Sequence, residues 1–255
     1  FSAMRLSSWF CDSTGMSRGR RIIAGLGLAA LVGVLAGCSA VRLTYSQAPE
    51  LAYWWADGYL DFNSSQKPQV KAALHRLQAW QRSTQMPAVA GQLRRIQTVW
   101  REPVSAHQAC EWAGQVRRWA DEAVEQALPE AAALAVTLQP GQLAHLSRKM
   151  QKQRQDFAER QLDVPAAKRR DEATDKLVGR YERVFGTLTP VQRQAVADAV
   201  AAMDDPVRVD AEQRRHQQDL LATLQLIQRE RDTPAAAQSR LKALAGRWRQ
   251  ASPDI

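Results

Sequence analysis

Cysteine and histidine are scarce in this chain, with three of the one and four of the other in 255 residues. Cys11, Cys38 and Cys110 are too few and too widely spaced for a disulfide framework, which needs paired thiols at recurring intervals. His75, His107, His145 and His216 form no local cluster. His107 and Cys110, three apart on one predicted helix face, offer a metal two ligands, and no other Cys or His spacing supplies the rest of a four-ligand site. Neither a metal nor another cofactor is therefore expected. Also missing are a Gly-x-Ser-x-Gly elbow, a phosphate loop and a dinucleotide fingerprint; Gly25 and Gly27 belong to an apolar run rather than to a nucleotide-binding turn. With no catalytic constellation to assemble, a non-enzymatic role is expected. No stretch alternates in the manner of a strand. Only one long apolar run exists, residues 22–34, and it is shorter than the roughly 20 residues a spanning helix needs.

That run has the grammar of an export signal. A basic segment at 17–21 precedes it and small residues follow it, the order a secretory signal requires. Met16 is the expected true start, because residues 1–15 carry neither helical nor strand periodicity and read as a non-native extension. Leu35-Ala36-Gly37-Cys38 resembles the lipobox of bacterial lipoproteins. The resemblance implies that 16–37 is a signal peptide and that Cys38 becomes an acylated, palmitate-bearing N-terminus. Ser39-Ala40 follow with no Asp, which in such lipoproteins implies delivery to the outer membrane. On that reading 38–46 is the lipidated cysteine with a short tether, and 47–255 is a helical domain on the periplasmic face. The chain after residue 37 keeps 31 basic and 25 acidic residues. In an exported protein such an excess points to anionic headgroups or lipopolysaccharide phosphates rather than to nucleic acid. Cys110, left as a lone thiol, is expected to be a buried small hydrophobe.

Aromatic residues are few overall but concentrated. Residues 45–62 hold six rings in eighteen positions, a density that must be buried in a core, a partner or a membrane interface. Tyr45, Trp54, Trp55 and Tyr59 are the candidate partner-binding rings. Asp57 and Asp61, four apart among them, either share a helix face toward a cation or basic partner, or cap a helix end. The string Tyr45-Ser46-Gln47-Ala48-Pro49, Tyr53-Trp54-Trp55-Ala56-Asp57-Gly58-Tyr59, Asp61-Phe62, Trp80-Gln81-Arg82 and Met86-Pro87 resembles a family of proteobacterial lipoproteins defined only as a domain of unknown function. Gln81 stands where that pattern has His, and Met86 where it has Leu. The resemblance implies a helical lipoprotein and lends no activity.

From Pro68 onward the spacing of apolar residues is helical. Val70, Leu74 and Leu77 make one stripe, with a break expected at Met86-Pro87. Val89, Leu93, Ile96 and Trp100 make the next, and Ala109, Trp112, Val116, Trp119 and Ala123 a third that is expected to end near Leu128-Pro129. Glu130 to Leu138 reads as a short apolar piece. Leu143, Leu146, Met150 and Phe157 then face Leu177, Tyr181, Val184 and Leu188 in a predicted antiparallel hairpin with one apolar seam. Three helices close the chain. The fold class is all-α, a mostly antiparallel bundle with a long helical hairpin. Four helix starts share one pattern: Asn63-x-x-Gln66, Ser105-x-x-Gln108, Gln139-x-x-Gln142 and Thr189-x-x-Gln192 are each preceded by an apolar residue, which is the spacing of a capping box. Leu188-Thr189-Pro190-Val191-Gln192 and Leu138-Gln139-Pro140-Gly141-Gln142 also resemble the paired motifs of small periplasmic stress chaperones of the Spy and CpxP type. Residues 148–193 hold twelve basic and seven acidic side chains, most of the excess positive charge. The function expected is that of a membrane-tethered binding or chaperone-like protein acting on an unfolded client. The alternative is an envelope scaffold that recruits a protein partner through 45–62.

Overall fold

The computed structural model describes residues 44–99 and 104–251; the expected signal segment, Cys38 and Trp100 lie outside them. The chain divides into two units, Phe1–Leu51 and Ala52–Ile255. The described part of the first is a helical turn and the start of helix α1, where the Leu51 N–H donates to the Gln47 carbonyl at 3.0 Å.

The helices are α1 Ala48–Leu60, α2 Gln66–Trp80, α3 Met86–Val99, α4 Ala106–Ala135, α5 Pro140–Phe157, α6 Ala166–Phe185, α7 Pro190–Met203, α8 Pro206–Arg229 and α9 Pro234–Ala251. The described residues contain no strand, so the protein is all-α. The starts of α5, α7, α8 and α9 each carry proline in the first turn, where the missing N–H would have had no helical partner. Thr189 caps α7 with a reciprocal box: its hydroxyl accepts from the Gln192 N–H at 3.3 Å while Gln192 accepts from the Thr189 N–H at 2.9 Å. Ser105 and Gln108 repeat it at 3.2 and 2.9 Å.

At three places the chain departs from what its prolines and apolar stripes suggest. At Met86-Pro87 the helix does not break: Gln81–Gln85 forms one π-helical turn, and α3 follows directly. A widened turn relieves the clash between the proline ring and the preceding carbonyls. At Pro129 α4 runs straight through, because Leu128, Ala132 and Ala135 are all buried and the packing on both sides of the proline outweighs one lost backbone bond. The predicted hairpin partner also changes. Helix α5 packs against α8, and α6 packs against α7. Leu143, Leu146 and Met150 meet Leu224 and Ile227 of α8 and Leu241 and Leu244 of α9 in the main core, while Tyr181 and Val184 of α6 are exposed. A second π turn, Ala158–Leu162, ends α5.

Two capping glutamines do more than cap. Gln66, 1% exposed, accepts from the Asn63 N–H at 3.1 Å and donates to the Thr137 carbonyl at 3.1 Å. Gln142 accepts from the Gln139 N–H at 2.9 Å and donates to the Leu60 carbonyl at 2.9 Å. The two amides also bond each other, 2.8 Å one way and 3.2 Å the other. Each glutamine thus closes its own helix start and satisfies backbone groups of the opposite turn. The α1–α2 corner is thereby locked to the α4–α5 corner by a fully partnered buried network. Gln139, a poor cap by composition, turns its own side chain to the Thr137 carbonyl at 3.2 Å.

Candidate functional site

Beside that locked corner, the second half of α4 leaves a groove open against α2. Its floor comes from Phe62 and Val70, which belong to a small aromatic cluster with Tyr53. Along α2, Val70, Ala73, Leu74 and Leu77 recur at three- and four-residue spacing, so they share the face turned to α4. Ala127, Ala131 and Leu134 of α4 form the opposite wall, and Ala56 and Leu60 of α1 close one end. The groove encloses about 350 Å³ and is mainly apolar. Five of its lining residues, Ala56, Ala73, Ala127, Ala131 and Ala133, are alanines; their small side chains leave the space that larger ones would fill.

The polar groups sit at its edges. Arg76 crosses from α2 to α4, with Nε donating to Glu130 Oε1 at 2.8 Å and a terminal nitrogen 2.7 Å from the same oxygen. Gln69 and Gln126 also line the groove. The arrangement resembles a general apolar binding site: hydrophobic walls with a few amide and charged groups at the margin that can meet a ligand's polar atoms.

The sequence-predicted candidates are distributed differently. In the aromatic stretch alternate rings part company. Tyr53 and Phe62 are buried with ring centroids 6.2 Å apart, whereas Trp54 and Trp55 are 66% and 69% exposed. Tyr59 is half-buried, 5.0 Å from the Trp55 ring centroid, and packs on the main core. Tyr45 is half-buried within the first unit. Asp57 acts as a cap, its carboxylate accepting from the Phe62 N–H at 2.9 Å. Asp61 takes the left-handed conformation (φ 48°) that ends α1, and its carbonyl accepts from Gln142 at 3.1 Å. Asp is among the residues that tolerate this conformation.

Cys110 is exposed, contrary to the expectation of burial. The reason is local: no residue from 107 to 127 of α4 is buried, so the apolar stripe there is covered only in part. His107 is exposed and lies 3.7 Å from Glu111, one turn on. His145 contacts the Gly58 carbonyl at 3.2 Å, and His216 stacks on Trp248 with centroids 5.0 Å apart. Among the described residues no three His, Cys, Asp or Glu side chains come together in a way that could hold a metal, and no helix is long and apolar enough to cross a membrane.

The most perturbed acid lies elsewhere, at the base of the α6–α7 hairpin. Arg169 donates to both oxygens of Asp204, at 2.7 and 2.8 Å, and Arg170 adds a third bond at 2.8 Å. Hydrogen bonds from Arg169 and then Arg170 hold the Asp204 carboxyl down to about 2. Arg169 also donates to the Gln161 and Val164 carbonyls at 2.8 and 3.1 Å. It therefore clasps both ends of the hairpin to the chain that feeds it. The sequence run of basic residues gave no sign of this; only the juxtaposition of 169 with 204 reveals it.

Fold and groove together define an all-α protein with an apolar cleft between α2 and α4. The chain belongs to a family of unknown function, DUF6279, which matches residues 58–251. No curated protein and no solved structure matches it. The matched span takes in the whole groove except Ala56, both interlocked glutamines and the α6–α7 hairpin, and it begins after Trp54, Trp55 and Asp57.

Proposed function

We propose that this chain is a non-enzymatic binding protein of the cell envelope. It is held at the periplasmic face of the outer membrane by lipid on Cys38, and it shelters short apolar segments of unfolded polypeptides in the groove between α2 and α4. The groove is the observation that carries the reading. An apolar cleft of about 350 Å³ has room for a few side chains of an extended segment, and burying them there follows the ordinary hydrophobic gain of roughly 25 cal/mol per Å². Gln69, Gln126 and the Arg76–Glu130 pair at its edges provide donors and acceptors for the peptide groups that such a segment brings with it. The lipobox supplies the location.

Two experiments test this. The full chain added to an aggregating client should suppress light scattering, and no effect on any of several clients at several-fold excess would end the proposal. Labelled palmitate should be incorporated by the native chain and not by Cys38→Ser; equal labelling would remove the tether.

A second reading is favoured by Trp54 and Trp55, whose side chains stand in solvent on α1. Two adjacent exposed tryptophans are costly to leave uncovered and suit a scaffold that recruits one envelope protein. Photocrosslinking from Trp54 should then capture a single defined partner, whereas a diffuse ladder of products favours the client-binding reading.

A further inference from the structure

The apex of the α6–α7 hairpin has an organisation of its own. Tyr181, Val184, Phe185 and Val191 are all exposed there, Val184 by 73% and Val191 by 79%. The Tyr181 and Phe185 ring centroids lie 6.3 Å apart, one turn from each other on α6. The turn between the helices is held rather than loose. Gly186 takes a positive φ of 79°, which a side chain would strain, and its N–H donates to the Glu182 carbonyl at 3.0 Å. The Glu182 carboxylate accepts from the Leu188 N–H at 3.1 Å and pairs with Arg193. An apolar cap is thus presented on a fixed scaffold.

Behind it stand three cations. Lys176, Arg180 and Arg183 recur at four- and three-residue spacing, lie on one face of α6, and line a shallow concavity with Gly179 and Asp175. None of the three makes an ion pair among the described residues, although Arg193 does. At the helical rise of 1.5 Å per residue, Arg183, Arg180 and Lys176 lie about 5, 9 and 15 Å behind Gly186. An interfacial protein segment seats its apolar part about 5–10 Å into the boundary between headgroups and acyl chains. With α6 standing on such a surface, Val184, Phe185 and Val191 fall below the phosphates, Tyr181, about 7.5 Å behind Gly186, lies among the two arginines at their level, and the lysine falls just outside it. Long basic side chains reach phosphate oxygens while their stems remain on apolar surface.

We propose that the α6–α7 apex is a membrane-contact site for a bilayer carrying anionic phospholipid headgroups, separate from the lipid on Cys38 and from the α2–α4 groove. An acidic polypeptide would satisfy the three cations. It would not account for Val184, Phe185 and Val191 exposed ahead of them with the Tyr181 ring at their level, and a bilayer accounts for both.

The test uses the full chain with Cys11, Cys38 and Cys110 changed to Ser and a single new cysteine, Val184→Cys, carrying an environment-sensitive dye. A second sample carries the dye at Val124→Cys, exposed on α4. Vesicles of phosphatidylcholine with about a third phosphatidylglycerol should blue-shift the dye at 184 and leave the dye at 124 unchanged; pure phosphatidylcholine should give little shift at either. Each cation near such a surface contributes about five-fold in affinity, so Lys176→Gln, Arg180→Gln and Arg183→Gln together should weaken the response by about a hundredfold, and 0.5 M salt should do much the same. Arg180→Lys with Arg183→Lys should retain it, and far-ultraviolet circular dichroism should show unchanged helicity throughout. No shift at 184 with anionic vesicles, a shift untouched by the triple substitution, or a shift produced by an acidic unfolded protein but not by vesicles would each overturn the proposal.

Discussion

The body of the protein and the α6–α7 hairpin are built from helices of similar length with similar apolar spacing, yet they are held by different forces. In the body, eleven residues of α4, α5, α8 and α9 and Leu138 of the α4–α5 turn are buried in one continuous core, and that turn is fastened to the α1–α2 corner by the paired amides of Gln66 and Gln142. In the hairpin only Val178 and Val200 are buried; its two ends are joined by ion pairs of Arg169 and Arg170 with Asp204, and Arg169 ties them to the preceding chain through the Gln161 and Val164 carbonyls. The body is a scaffold; the hairpin exposes apolar surface on it. An apolar stripe therefore means different things in the two places: in one it marks a core, in the other a surface left for contact.

Four substitutions or conditions separate these regions, and their effects should fall in order. Ile227→Ala, at the centre of the body and 1% exposed, should lower unfolding free energy by about 3–4 kcal/mol, in the upper part of the roughly 2–5 kcal/mol range for truncating a buried aliphatic side chain to Ala, as read by urea denaturation. Gln142→Ala removes the partner of the Leu60 carbonyl and of the Gln139 N–H and one bond from each end of the Gln66 amide, and should cost about 3 kcal/mol. A double-mutant cycle with Gln66→Ala should be strongly non-additive, because each single change already breaks the shared network. Acidification should act on the hairpin. The Asp204 carboxyl is held down to about 2 from an ordinary 3.8, so its contribution is complete above roughly pH 4 and is lost as the pH falls through about 2. Hairpin amides should lose hydrogen-exchange protection in that window, and Asp204→Asn should expose them at neutral pH while amides of α9 keep their protection. Val191→Ser should change stability by no more than about 0.5 kcal/mol, since its side chain is in solvent. A larger loss would mean that the apex is structural.

Much of this architecture was legible in the residue pattern, and the failures have physical causes. The all-α class follows from unbroken three- and four-residue spacing. The Asn63, Ser105 and Thr189 caps follow from hydrogen-bond geometry that is local to four residues. What could not be read was which stripes are covered. Val116 and Leu93 have the same spacing as Leu143 and Leu146, yet the first two are exposed and the second two buried, because coverage depends on a helix distant in sequence. The exposure of Cys110 has that cause, and the α5–α6 pairing expected from adjacency in sequence gives way to α5 on α8 and α6 on α7. The prolines misled in the opposite sense. Pro129 sits between buried residues whose packing carries the helix past it, and Pro87 is absorbed by a π turn. The groove was not legible either: Ala73, Ala127 and Ala131 are unremarkable helix formers until α2 and α4 are brought side by side. Within the aromatic stretch the density of rings was informative, but its division into buried Tyr53 and Phe62 and exposed Trp54 and Trp55 depended on the register of α1.

The most direct test compares the two exposed apolar surfaces within one molecule. A photoreactive amino acid placed at Ala131, on the groove wall, and in a separate sample at Val184, on the hairpin apex, would be illuminated in the presence of an unfolded polypeptide client and no lipid. Capture of the client from position 131, with little or none from 184, is the predicted result. Capture from 184 alone, or from neither position while the chain still suppresses aggregation, would contradict the assignment of client binding to the groove.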